Sequence, residues 1–489
     1  MKLSALLSAL KNYKLYTDSN NTDIEVNGLC ADSRIYKKGE IFICIKGERV
    51  DSHRYGKEAL EKGAVAIVTE RKLDVHGVQI VVEDSRLAMS LLSNAFYGEP
   101  SKKLKIIGIT GTNGKTTCSY MLASILRAAG KKVGVIGTLG IFYDKKHIAP
   151  ELTTPDPIFL QRTLADMRNL GVEYVVMEVS AHALYYNKVE GIEFCACIFT
   201  NFTQDHLDFF STMLAYKKAK LKLFTKEKCP IAIVNLDDPL SSEITVLRSK
   251  GSTQVRTVCY GLKTPSDAFA VVTDEGLKST EFLLNISDTL IPIRLQMSGI
   301  HNVCNALAVS VCAHELGFGK TSIMDGLNTL SGVKGRLEWI ANYHGGDIFI
   351  DFAHTPDGLE KSLSGLKAHT KGRLICLFGC GGNRDKTKRA KMGKIAASLS
   401  DFVVLTSDNP RFEDASDIIR DIEKGIDKQF TNYVAIPDRE RAIVYAIGEL
   451  KDGDVLLVAG KGGEDYQERM GIKYAYKDED VIIKATKKG

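Results

Sequence analysis

The sequence predicts an α/β protein of three domains in which short apolar strands alternate with helices. Its 489 residues are enough for two to four domains, each with its own core. Strand-type runs alternate with segments of helical spacing through residues 102–333 and again through 334–489. This alternation favours mainly parallel sheets, which bind ligands at the carboxyl ends of their strands.

The composition is typical of a globular protein and narrows the classes of partner. Charged residues make up 26% and hydrophobic residues 44%, and the formal charge of +5 is spread along the chain. No basic run is interleaved with aromatics, so we expect no nucleic-acid partner. No segment has the length of a membrane span, so we expect no membrane insertion.

The eleven cysteines contain no C-x-x-C pair. Cys195, Cys197, Cys376 and Cys380 lie in apolar runs, which predicts buried free thiols rather than zinc ligands or disulfides. Free thiols predict a reducing, cytoplasmic location.

Residues 1–101 are predicted to form a small N-terminal α/β domain. Ile41–Cys44 and Ala64–Thr69 are strand-like, and Tyr55–Lys62 is helix-like. Gly98–Ser101 has the composition of a linker. A short amphipathic helix is predicted from the spacing of Leu3, Leu6, Leu7 and Leu10.

A glycine-rich turn opens the central domain, residues 102–333. The apolar run Leu104–Ile109 precedes it, and Cys118–Ala129 has helical spacing after it. The turn consists of Gly111, Thr112, Asn113, Gly114, Lys115, Thr116 and Thr117. Its glycines let backbone N–H groups surround a phosphate, the lysine supplies a positive charge, and a threonine hydroxyl can hold Mg²⁺.

This turn predicts a P-loop-type ATP or GTP site at the start of a mainly parallel sheet. The general pattern has a glycine six residues before the lysine, where this chain has Ile109. A glycine-rich strand-to-helix turn with a chance lysine is therefore the alternative.

Two further polar groups follow predicted strands of the central domain. Glu178 ends the strand Tyr174–Val179, where a carboxylate can reach a nucleotide-bound magnesium ion, and Ser180 follows it. Asp205-His206-Leu-Asp208 follows the strand Ala196–Thr200, and its titratable side chains favour a ligand-binding site. Beyond the strand Ile231–Asn235, we expect an antiparallel, peripheral segment over Val255–Ile293.

Residues 334–489 are predicted to form a Rossmann-like, doubly wound domain. Its strands are predicted at Ile348–Asp351, Leu374–Phe378, Phe402–Thr406 and Val455–Ala459. A polar loop follows each strand, and these loops are 351–357, 379–386, 408–411 and 460–464. Because the carboxyl ends of parallel strands meet at one edge, the four loops are expected to form a binding face.

Taken together in chain order, these segments resemble the Mur ligases of peptidoglycan synthesis. The resemblance extends over all three domains and rests on Gly111–Thr116, Glu178-Val-Ser, Asp205–Asp208, His301-Asn302, Gly335-Arg336 and Asp351–Asp357. Within that family, the chain resembles the members that add the third peptide residue. This closer resemblance rests on Asp32-Ser-Arg34, Thr153-Thr154-Pro, Gly379–Asp385 and Asp408-Asn-Pro-Arg411.

The resemblance implies an ATP site and a magnesium site. The residues implied to bind ATP are Gly111–Thr117, Asn302, Arg336, Asp351 and His354. The residues implied to hold magnesium are Thr116, Glu178, His206 and Lys220, with Lys220 as a carbamate. The implied catalytic residues are Lys115, Glu178, His206 and Lys220. The residue pattern alone does not distinguish Lys220 as a functional lysine. Lys217, Lys218 and Lys222 surround it, and a solvated helix face is the alternative.

The resemblance also implies sites for the two other substrates. A UDP-sugar-peptide is implied at Ser33, Glu48, Arg49, Val50, Thr153, Thr154, Ser180, Tyr186 and Lys188, where the last two differ from the usual Gln or Arg. The incoming amino acid is implied at Arg389, Asp408, Asn409, Pro410, Arg411, Gly460 and Glu464, and Gly463 stands where a histidine is common.

The implied reaction is ATP-dependent amide formation on the D-glutamate γ-carboxylate of UDP-N-acetylmuramoyl-L-alanyl-D-glutamate through an acyl phosphate. The reaction would serve cell-wall synthesis, and with it cell shape and cell division. We expect a monomeric enzyme. We also expect its domains to close and so to protect the acyl phosphate from water. Arg411 favours meso-diaminopimelate, because a guanidinium can bind its distal carboxylate and L-lysine has none. The alternatives are an L-lysine-adding homologue, a folylpolyglutamate-type synthetase, and a P-loop kinase or regulatory module.

Overall fold

The computed structural model describes residues 1–18, 24–47, 50–149, 151–250 and 255–487, and the predicted α/β class is confirmed. The helices are α1 Leu3–Leu7, α2 Gly56–Glu61, α3 Ser85–Phe96, α4 Lys115–Ala128, α5 Pro157–Asn169, α6 Ala181–Tyr185, α7 Leu207–Phe210, α8 Met213–Leu221, α9 Ser241–Ser249, α10 Ile300–Glu315, α11 Lys320–Asn328, α12 Pro356–Lys367, α13 Thr387–Leu399, α14 Ala415–Glu423, α15 Arg439–Gly448 and α16 Asp478–Thr486.

The strands alternate with these helices through most of the chain. They are β1 Lys14–Tyr16, β2 Gly28–Cys30, β3 Glu40–Ile43, β4 Ala66–Thr69, β5 Gln79–Val81, β6 Lys105–Thr110, β7 Val133–Gly137, β8 Gly140–Tyr143, β9 Lys146–Ile148, β10 Tyr174–Glu178, β11 Phe194–Phe199, β12 Ile231–Asn235, β13 Arg256–Tyr260, β14 Ala268–Glu275, β15 Thr280–Ile286, β16 Thr289–Leu295, β17 Glu338–Tyr343, β18 Gly346–Asp351, β19 Leu374–Phe378, β20 Phe402–Leu405, β21 Tyr433–Ala435, β22 Val455–Ala459, β23 Tyr466–Arg469 and β24 Ile472–Ala475.

The chain divides into two compact units. The first consists of residues Met1–Gly108, Lys132–Cys195 and Glu227–Pro230. The second consists of Ile109–Lys131, Ala196–Lys226 and the chain from Ile231 onward. The division falls inside β6 and inside β11, and the predicted domains 1–101, 102–333 and 334–489 stay predictions.

The first unit holds a five-stranded sheet in the order β1-β5-β4-β3-β2, parallel except for β1. The predicted N-terminal helix is confirmed as α1, and all four of its leucines are buried, although Leu10 lies beyond its end. In the same unit β10 pairs with β7 in parallel, and β7, β8 and β9 follow as antiparallel neighbours.

In the second unit, β11 to β16 are successive neighbours in one sheet. The predicted antiparallel segment is confirmed for β14, β15 and β16. It is wrong for β13, which pairs in parallel with β12 over five residues. The reason is that α9 returns the chain between them, so β12, α9 and β13 form a crossover unit.

The six-stranded sheet of the second unit has the order β17-β18-β22-β19-β20-β21, and only β17 is antiparallel to its neighbour. Its central strands are buried on both faces: Leu374, Cys376 and Phe378 face one core cluster, while Ile375 and Leu377 face the other. The carboxyl ends of β18, β22, β19 and β20 therefore meet at one edge, as predicted.

A buried ion pair lies beneath that edge. Arg439, at the start of α15, donates from Nε and Nη2 to the Asp478 carboxylate, at 2.8 and 2.7 Å. The same guanidinium donates to the carbonyl oxygens of Ser407 and Ala459, the residues before two of the polar loops. Both charged side chains are almost completely buried, at 1% and 0% exposure.

We expect Asp478→Ala to lower the free energy of unfolding by about 3–5 kcal/mol, because it leaves the Arg439 charge buried without its partner. Asp480→Ala, an exposed aspartate on the same helical turn, is the control and should cost less than about 1 kcal/mol. Urea denaturation of the full chain measures both. Equal stability of the two variants would contradict the role given to the pair.

All eleven cysteines are free thiols, as predicted. Cys197, Cys376 and Cys380 are buried, and Cys195 is partly exposed. Burial raises the pKa of the Cys376 and Cys380 thiols to about 12. Within the described ranges, none of the helices is both long and apolar enough to cross a lipid bilayer.

Candidate active site

The glycine-rich turn is held in the second unit by the segment after β11. Thr200 Oγ1 donates to the carbonyl of Asn113 at 2.7 Å, and the Asn113 N–H donates to Asn201 Oδ1 at 2.9 Å. Gly111 has φ +155° and leaves no room for a Cβ, which would collide with Thr200 Oγ1. The loop is therefore fixed in shape before the start of α4.

Lys115 is the first residue of α4 and turns back over the loop. Its Nζ donates to the carbonyl oxygens of Gly111 and Thr112, both at 2.9 Å. Gly114 precedes it with φ +87°, a left-handed conformation that favours glycine. The lysine ammonium and the amino-terminal end of a 14-residue helix thus lie at the same loop, an arrangement suited to phosphate.

Residues of the six-stranded-sheet domain contact this loop directly. Arg336 Nη2 donates to Thr116 Oγ1 at 2.9 Å, and its guanidinium lies 4.4 Å from the centroid of the Phe352 ring. Asn113 Nδ2 donates to Asp357 Oδ2 at 2.7 Å. The second unit therefore brings the predicted nucleotide residues Asn113, Thr116 and Arg336 together.

Asp351 and Asn302 are buried supports of this region. Asp351 accepts hydrogen bonds from the backbone of Leu337 and Ala353 at 2.6 and 2.8 Å, and burial raises the pKa of its carboxyl group. Asn302 donates to the Ser298 carbonyl at 2.8 Å and accepts from Asn305 at 3.3 Å. These contacts hold backbone and helix positions next to the loop.

Asp205 is the centre of a charged cluster. Its carboxylate lies 3.3 Å from His206 Nε2, 3.7 Å from His354 Nε2 and 3.8 Å from Lys388 Nζ. Burial alone would raise its pKa, but the neighbouring side chains of His354, His206 and Lys388 keep the pKa well below the usual range. The carboxylate therefore stays ionised and orients both predicted histidines.

Lys220 is the one buried member of the four lysines in its segment: Lys217 is half-buried, and Lys218 and Lys222 are exposed. Its Nζ lies 4.7 Å from the centroid of the Tyr216 ring. Burial, with repulsion from Lys115, lowers the pKa of Lys220 well below its usual value, while Asp205 and Asp238 oppose the shift. A neutral amine is the form that can react with carbon dioxide, so the structure distinguishes this lysine where the sequence could not.

Glu178 lies in the first unit at the end of β10 and is fully buried. It accepts from the Thr138 backbone N–H at 2.9 Å and from Thr138 Oγ1 at 3.0 Å. Thr138 Oγ1 lies 3.2 Å from Thr153 Oγ1. Thr154 Oγ1 donates to the Glu178 carbonyl at 2.8 Å and accepts from the Ser180 N–H at 3.0 Å.

The first unit therefore brings Thr153, Thr154, Glu178 and Ser180 together, although only Glu178 was assigned to magnesium. Tyr186 lies apart in contact with Arg86, whose guanidinium is 4.1 Å from the ring centroid. Lys188 pairs with Asp156 at 2.6 Å.

The predicted residues of the small N-terminal sheet are more scattered. Ser33 lies in a turn whose neighbours Asp32 and Arg34 form a salt bridge at 2.7 Å, and Val50 is exposed. Glu48 and Arg49 lie outside the described residues. In the part of the chain that the structure describes, we find no contact that joins Ser33 or Val50 to the cluster around Thr153.

Three loops of the six-stranded sheet are joined by polar contacts, and this cluster is here called the acceptor pocket after the role that the sequence predicts for it: 408–411, 460–464 and 381–382. Asn409 Nδ2 donates to Glu464 Oε2 at 2.9 Å, and Asn409 Oδ1 accepts from Lys461 Nζ at 3.1 Å. Lys461 is fully buried and also donates to Glu464 Oε2 at 2.9 Å. Gly460 has φ +110° and packs against Asp408, so a Cβ there would lie 2.6 Å from Asp408 Oδ2.

Arg411 completes this pocket from a left-handed backbone conformation, φ +52°. Its Nε donates to Glu468 Oε2 at 3.0 Å, and its Nη1 donates to the Gly382 carbonyl at 2.9 Å. Pro410 packs with its carbonyl against Gly382, where a Cβ would collide with it.

Arg389, also predicted for this pocket, is bound by carboxylates of its own domain. Its guanidinium donates to both oxygens of Glu413 and to Asp421, each at 3.0 Å. The hydrogen bonds from Arg389 lower the pKa of Glu413 to about 2. Arg389 also lies 3.4 Å from the Gly381 carbonyl, which connects it to the edge of the pocket.

Sequence reasoning missed Lys461, Lys388 and Glu468. Lys461 could have been found as a lysine inside the glycine-rich loop 460–464. Lys388 and Glu468 carry no local signal, because only the fold places them beside Asp205 and Arg411.

The donor chemistry is compatible with magnesium, which prefers oxygen ligands. Glu178 and Thr116 supply oxygen, and the buried amine of Lys220 would supply carboxylate-like oxygen once carbamylated. Among the described residues, no three His, Cys, Asp or Glu side chains are grouped as a metal site. The buried amine at Lys220 is therefore the observation in the second unit that is compatible with its predicted carbamate.

Comparison with known protein families covers most of the chain. The Mur ligase middle domain model matches residues 109–313, the model of the Mur ligase glutamate ligase domain matches 335–462, and the model of the Mur ligase family catalytic domain matches 25–97. A protein of Geobacillus thermodenitrificans named UDP-N-acetylmuramoyl-L-alanyl-D-glutamate--2,6-diaminopimelate ligase is 41% identical over 474 residues, or 96% of this chain and 95% of that protein.

Solved structures give the same result. A structure of UDP-N-acetylmuramoyl-L-alanyl-D-glutamate--2,6-diaminopimelate ligase superposes with a TM-score of 0.72 and 30% identity over 99% of both chains. The MurF ligase of Thermotoga maritima, solved in complex with ADP, shares the fold with a TM-score of 0.64 at 21% identity over 95% of this chain and 98% of that one. With three family models in order and relatives matched over nearly their whole length, the chain belongs to the Mur ligase family.

Proposed function

We propose that this chain is an ATP-dependent amide ligase that adds meso-diaminopimelate to UDP-N-acetylmuramoyl-L-alanyl-D-glutamate, joining it to the D-glutamate γ-carboxylate during synthesis of the peptidoglycan precursor. The observation that carries the proposal is the acceptor pocket at the edge of a parallel sheet, in which Asn409 contacts Glu464 and Arg411 is held by Glu468. The name of the relative matched over 96% of this chain supports the same reaction.

The first step makes the carboxylate reactive. A γ-carboxylate oxygen attacks the γ-phosphorus of ATP, the bond from that phosphorus to the β–γ bridging oxygen breaks, and acyl phosphate and ADP are formed. Lys115 lies at the loop that would cradle the phosphates, and its charge offsets the negative charge that spreads over the transferred group. Arg336 reaches the same loop through Thr116.

The second step forms the amide. The neutral amine of the incoming amino acid attacks the acyl carbon, and the tetrahedral intermediate expels phosphate as the amine loses its proton. Asn409, Glu464 and Arg411 would hold the far end of the amino acid, which turns the amine towards the acyl phosphate. The polar pocket thus acts by orientation rather than by covalent chemistry.

Thr116, Glu178, His206 and the carbamate of Lys220 would hold magnesium. When bound, the ion supplies positive charge to the phosphate groups. Asp205 lies beside both His206 and His354, where its carboxylate can orient the His206 ring.

The remaining assignments concern the binding of the UDP-linked substrate, the cellular location and the oligomeric state. Thr153, Thr154 and Ser180 would bind the peptide end of the UDP-linked substrate, with Tyr186 and Lys188, while Ser33 and Val50 would lie nearer the UDP-sugar. The free thiols support a cytoplasmic location. We propose that the protein is a monomer, and light scattering of the purified protein tests it.

The reaction is tested with purified protein, Mg-ATP and UDP-N-acetylmuramoyl-L-alanyl-D-glutamate, with meso-diaminopimelate or L-lysine in parallel. Phosphate release and the mass of the product are measured. We expect turnover with diaminopimelate and little without an acceptor. Turnover with L-lysine but not with meso-diaminopimelate would support the ligase reaction and contradict the proposed acceptor. Phosphate release that does not depend on either acceptor would contradict the ligase reaction.

A further inference from the structure

The hairpin formed by β23 and β24 supports the loop 407–411 along its length. Gln467 Nε2 donates to Ser407 Oγ at 3.0 Å and to the Asp408 carbonyl at 2.7 Å. The Glu468 N–H donates to Asn409 Oδ1 at 2.9 Å. The sequence motifs end at Glu464, so this hairpin is outside every segment used to predict the site.

Arg411 is held by the same hairpin through both its backbone and its side chain. Its N–H donates to the Glu468 carbonyl at 3.1 Å, and the Met470 N–H donates to the Arg411 carbonyl at 2.7 Å. These bonds stabilise the left-handed backbone that a non-glycine residue seldom adopts. The Glu468 carboxylate then accepts from Nε, so one residue fixes the arginine at two points.

The two contacts of the guanidinium define how it can meet a ligand. Nε is bonded to Glu468 and Nη1 to the Gly382 carbonyl, while Nη2 makes no hydrogen bond to any residue that the structure describes. A carboxylate can therefore approach across Nη1 and Nη2, with two hydrogen bonds in the plane of the guanidinium. The pair with Glu468 sets the direction of that plane.

We propose that Glu468 is a positioning residue that determines acceptor specificity by fixing the Arg411 guanidinium for the distal carboxylate of the incoming amino acid. The inference rests on the proposed function, because it assigns a role within the same acceptor pocket. Without Glu468, the long arginine side chain regains rotamer freedom, and that freedom must be lost again when the ligand binds.

The Arg411–Glu468 pair is suited to recognition rather than to stability. Both side chains keep some exposure, 18% and 21%, so the pair is less desolvated than a fully buried one and its loss should cost less stability. The buried Arg439–Asp478 pair of the same domain is the contrasting case. Removal of Glu468 should therefore change acceptor binding more than it changes unfolding.

The test compares Glu468→Ala, Glu468→Asp and Glu468→Gln with Glu440→Ala, an exposed glutamate of the same domain. The alanine and aspartate variants lose the bond to Nε, and we expect KM for meso-diaminopimelate to rise about tenfold or more, with kcat and KM for ATP little changed. Glutamine keeps an oxygen acceptor for Nε, so it should stay within about threefold of the wild type. Glu440→Ala should match the wild type.

A double-mutant cycle separates positioning from a direct effect. In an Arg411→Ala background, Glu468→Ala should raise KM for diaminopimelate no further, because the group it positions is gone. Additive effects would overturn the inference, as would wild-type KM in Glu468→Ala. If the alanine variant does not fold, the comparison of Glu468→Asp with Glu468→Gln tests the positioning role. Equal KM values for meso-diaminopimelate in these two variants would overturn the inference.

The wild type is measured first, which keeps the two hypotheses apart. Failure of the wild-type protein to use diaminopimelate would overturn the proposed acceptor, and the role of Glu468 with it. Normal wild-type turnover with an unaffected Glu468→Ala variant would overturn only the role of Glu468.

Discussion

Replacing Lys220 by alanine is expected to reduce ligase turnover by at least about a hundredfold, the range seen when one electrostatic group is removed from a reacting centre. The physical reason is its burial: desolvation, with repulsion from Lys115, lowers the pKa of the Lys220 amine, which favours the neutral form that takes up carbon dioxide. Loss of the carbamate removes one predicted oxygen ligand of magnesium. Turnover with all three substrates measures the effect.

Lys218→Ala is the matched control, because Lys218 is two residues earlier on α8 and is exposed. It should retain wild-type turnover. A second readout does not depend on activity: protein equilibrated with ¹³C-bicarbonate should show a carbamate carbon signal that Lys220→Ala lacks and Lys218→Ala keeps. Full activity of Lys220→Ala, or a carbamate signal that survives in it, would contradict the assignment.

Arg411→Ala is expected to raise KM for meso-diaminopimelate by about thirtyfold to several thousandfold, which corresponds to about 2–5 kcal/mol for truncating one partner of a hydrogen-bonded charge pair. The expected loss is that of the contact with the distal carboxylate, which the proposed function assigns to the guanidinium that Glu468 holds. KM for ATP should change little, because no predicted nucleotide residue contacts Arg411 within the described ranges. Steady-state kinetics with each substrate varied in turn measures the difference.

Arg420→Ala is the control for this variant. Arg420 belongs to the same domain, is largely exposed and pairs with Asp417 on the surface of α14, so its loss should leave all KM values close to wild type. Equal losses of diaminopimelate and ATP affinity in Arg411→Ala would contradict a specific role in the acceptor pocket.

Much of the site could be predicted because polar residues follow buried strands. Leu374–Phe378 and Val455–Ala459 are apolar throughout, a pattern that favours central strands of a parallel sheet. Once they are parallel, their following loops must meet at one edge, and Asn409 does contact Glu464 there. The glycine-rich turn was predictable for a similar local reason, since Gly111 and Gly114 adopt conformations that other residues avoid.

Other features depend on contacts between distant segments and have no local pattern. The four lysines between 217 and 222 look equivalent along the chain, but packing of α8 buries Lys220 and leaves Lys218 in solvent. Arg389 was predicted in the acceptor pocket, and the fold gives it Glu413 and Asp421 as carboxylate partners. Whether such a group is charged or available depends on its neighbours, which sequence spacing does not specify.

The sequence by itself therefore determined the α/β class, the glycine-rich turn at 111–117 and the polar loops at the ends of β18, β19, β20 and β22, because each depends on short-range periodicity and backbone geometry. Only the tertiary structure decided that β13 runs parallel to β12, that Lys220 is the buried lysine and that Glu468 holds Arg411. Those outcomes depend on which distant residues are brought into contact, and burial and pairing then set charge and orientation.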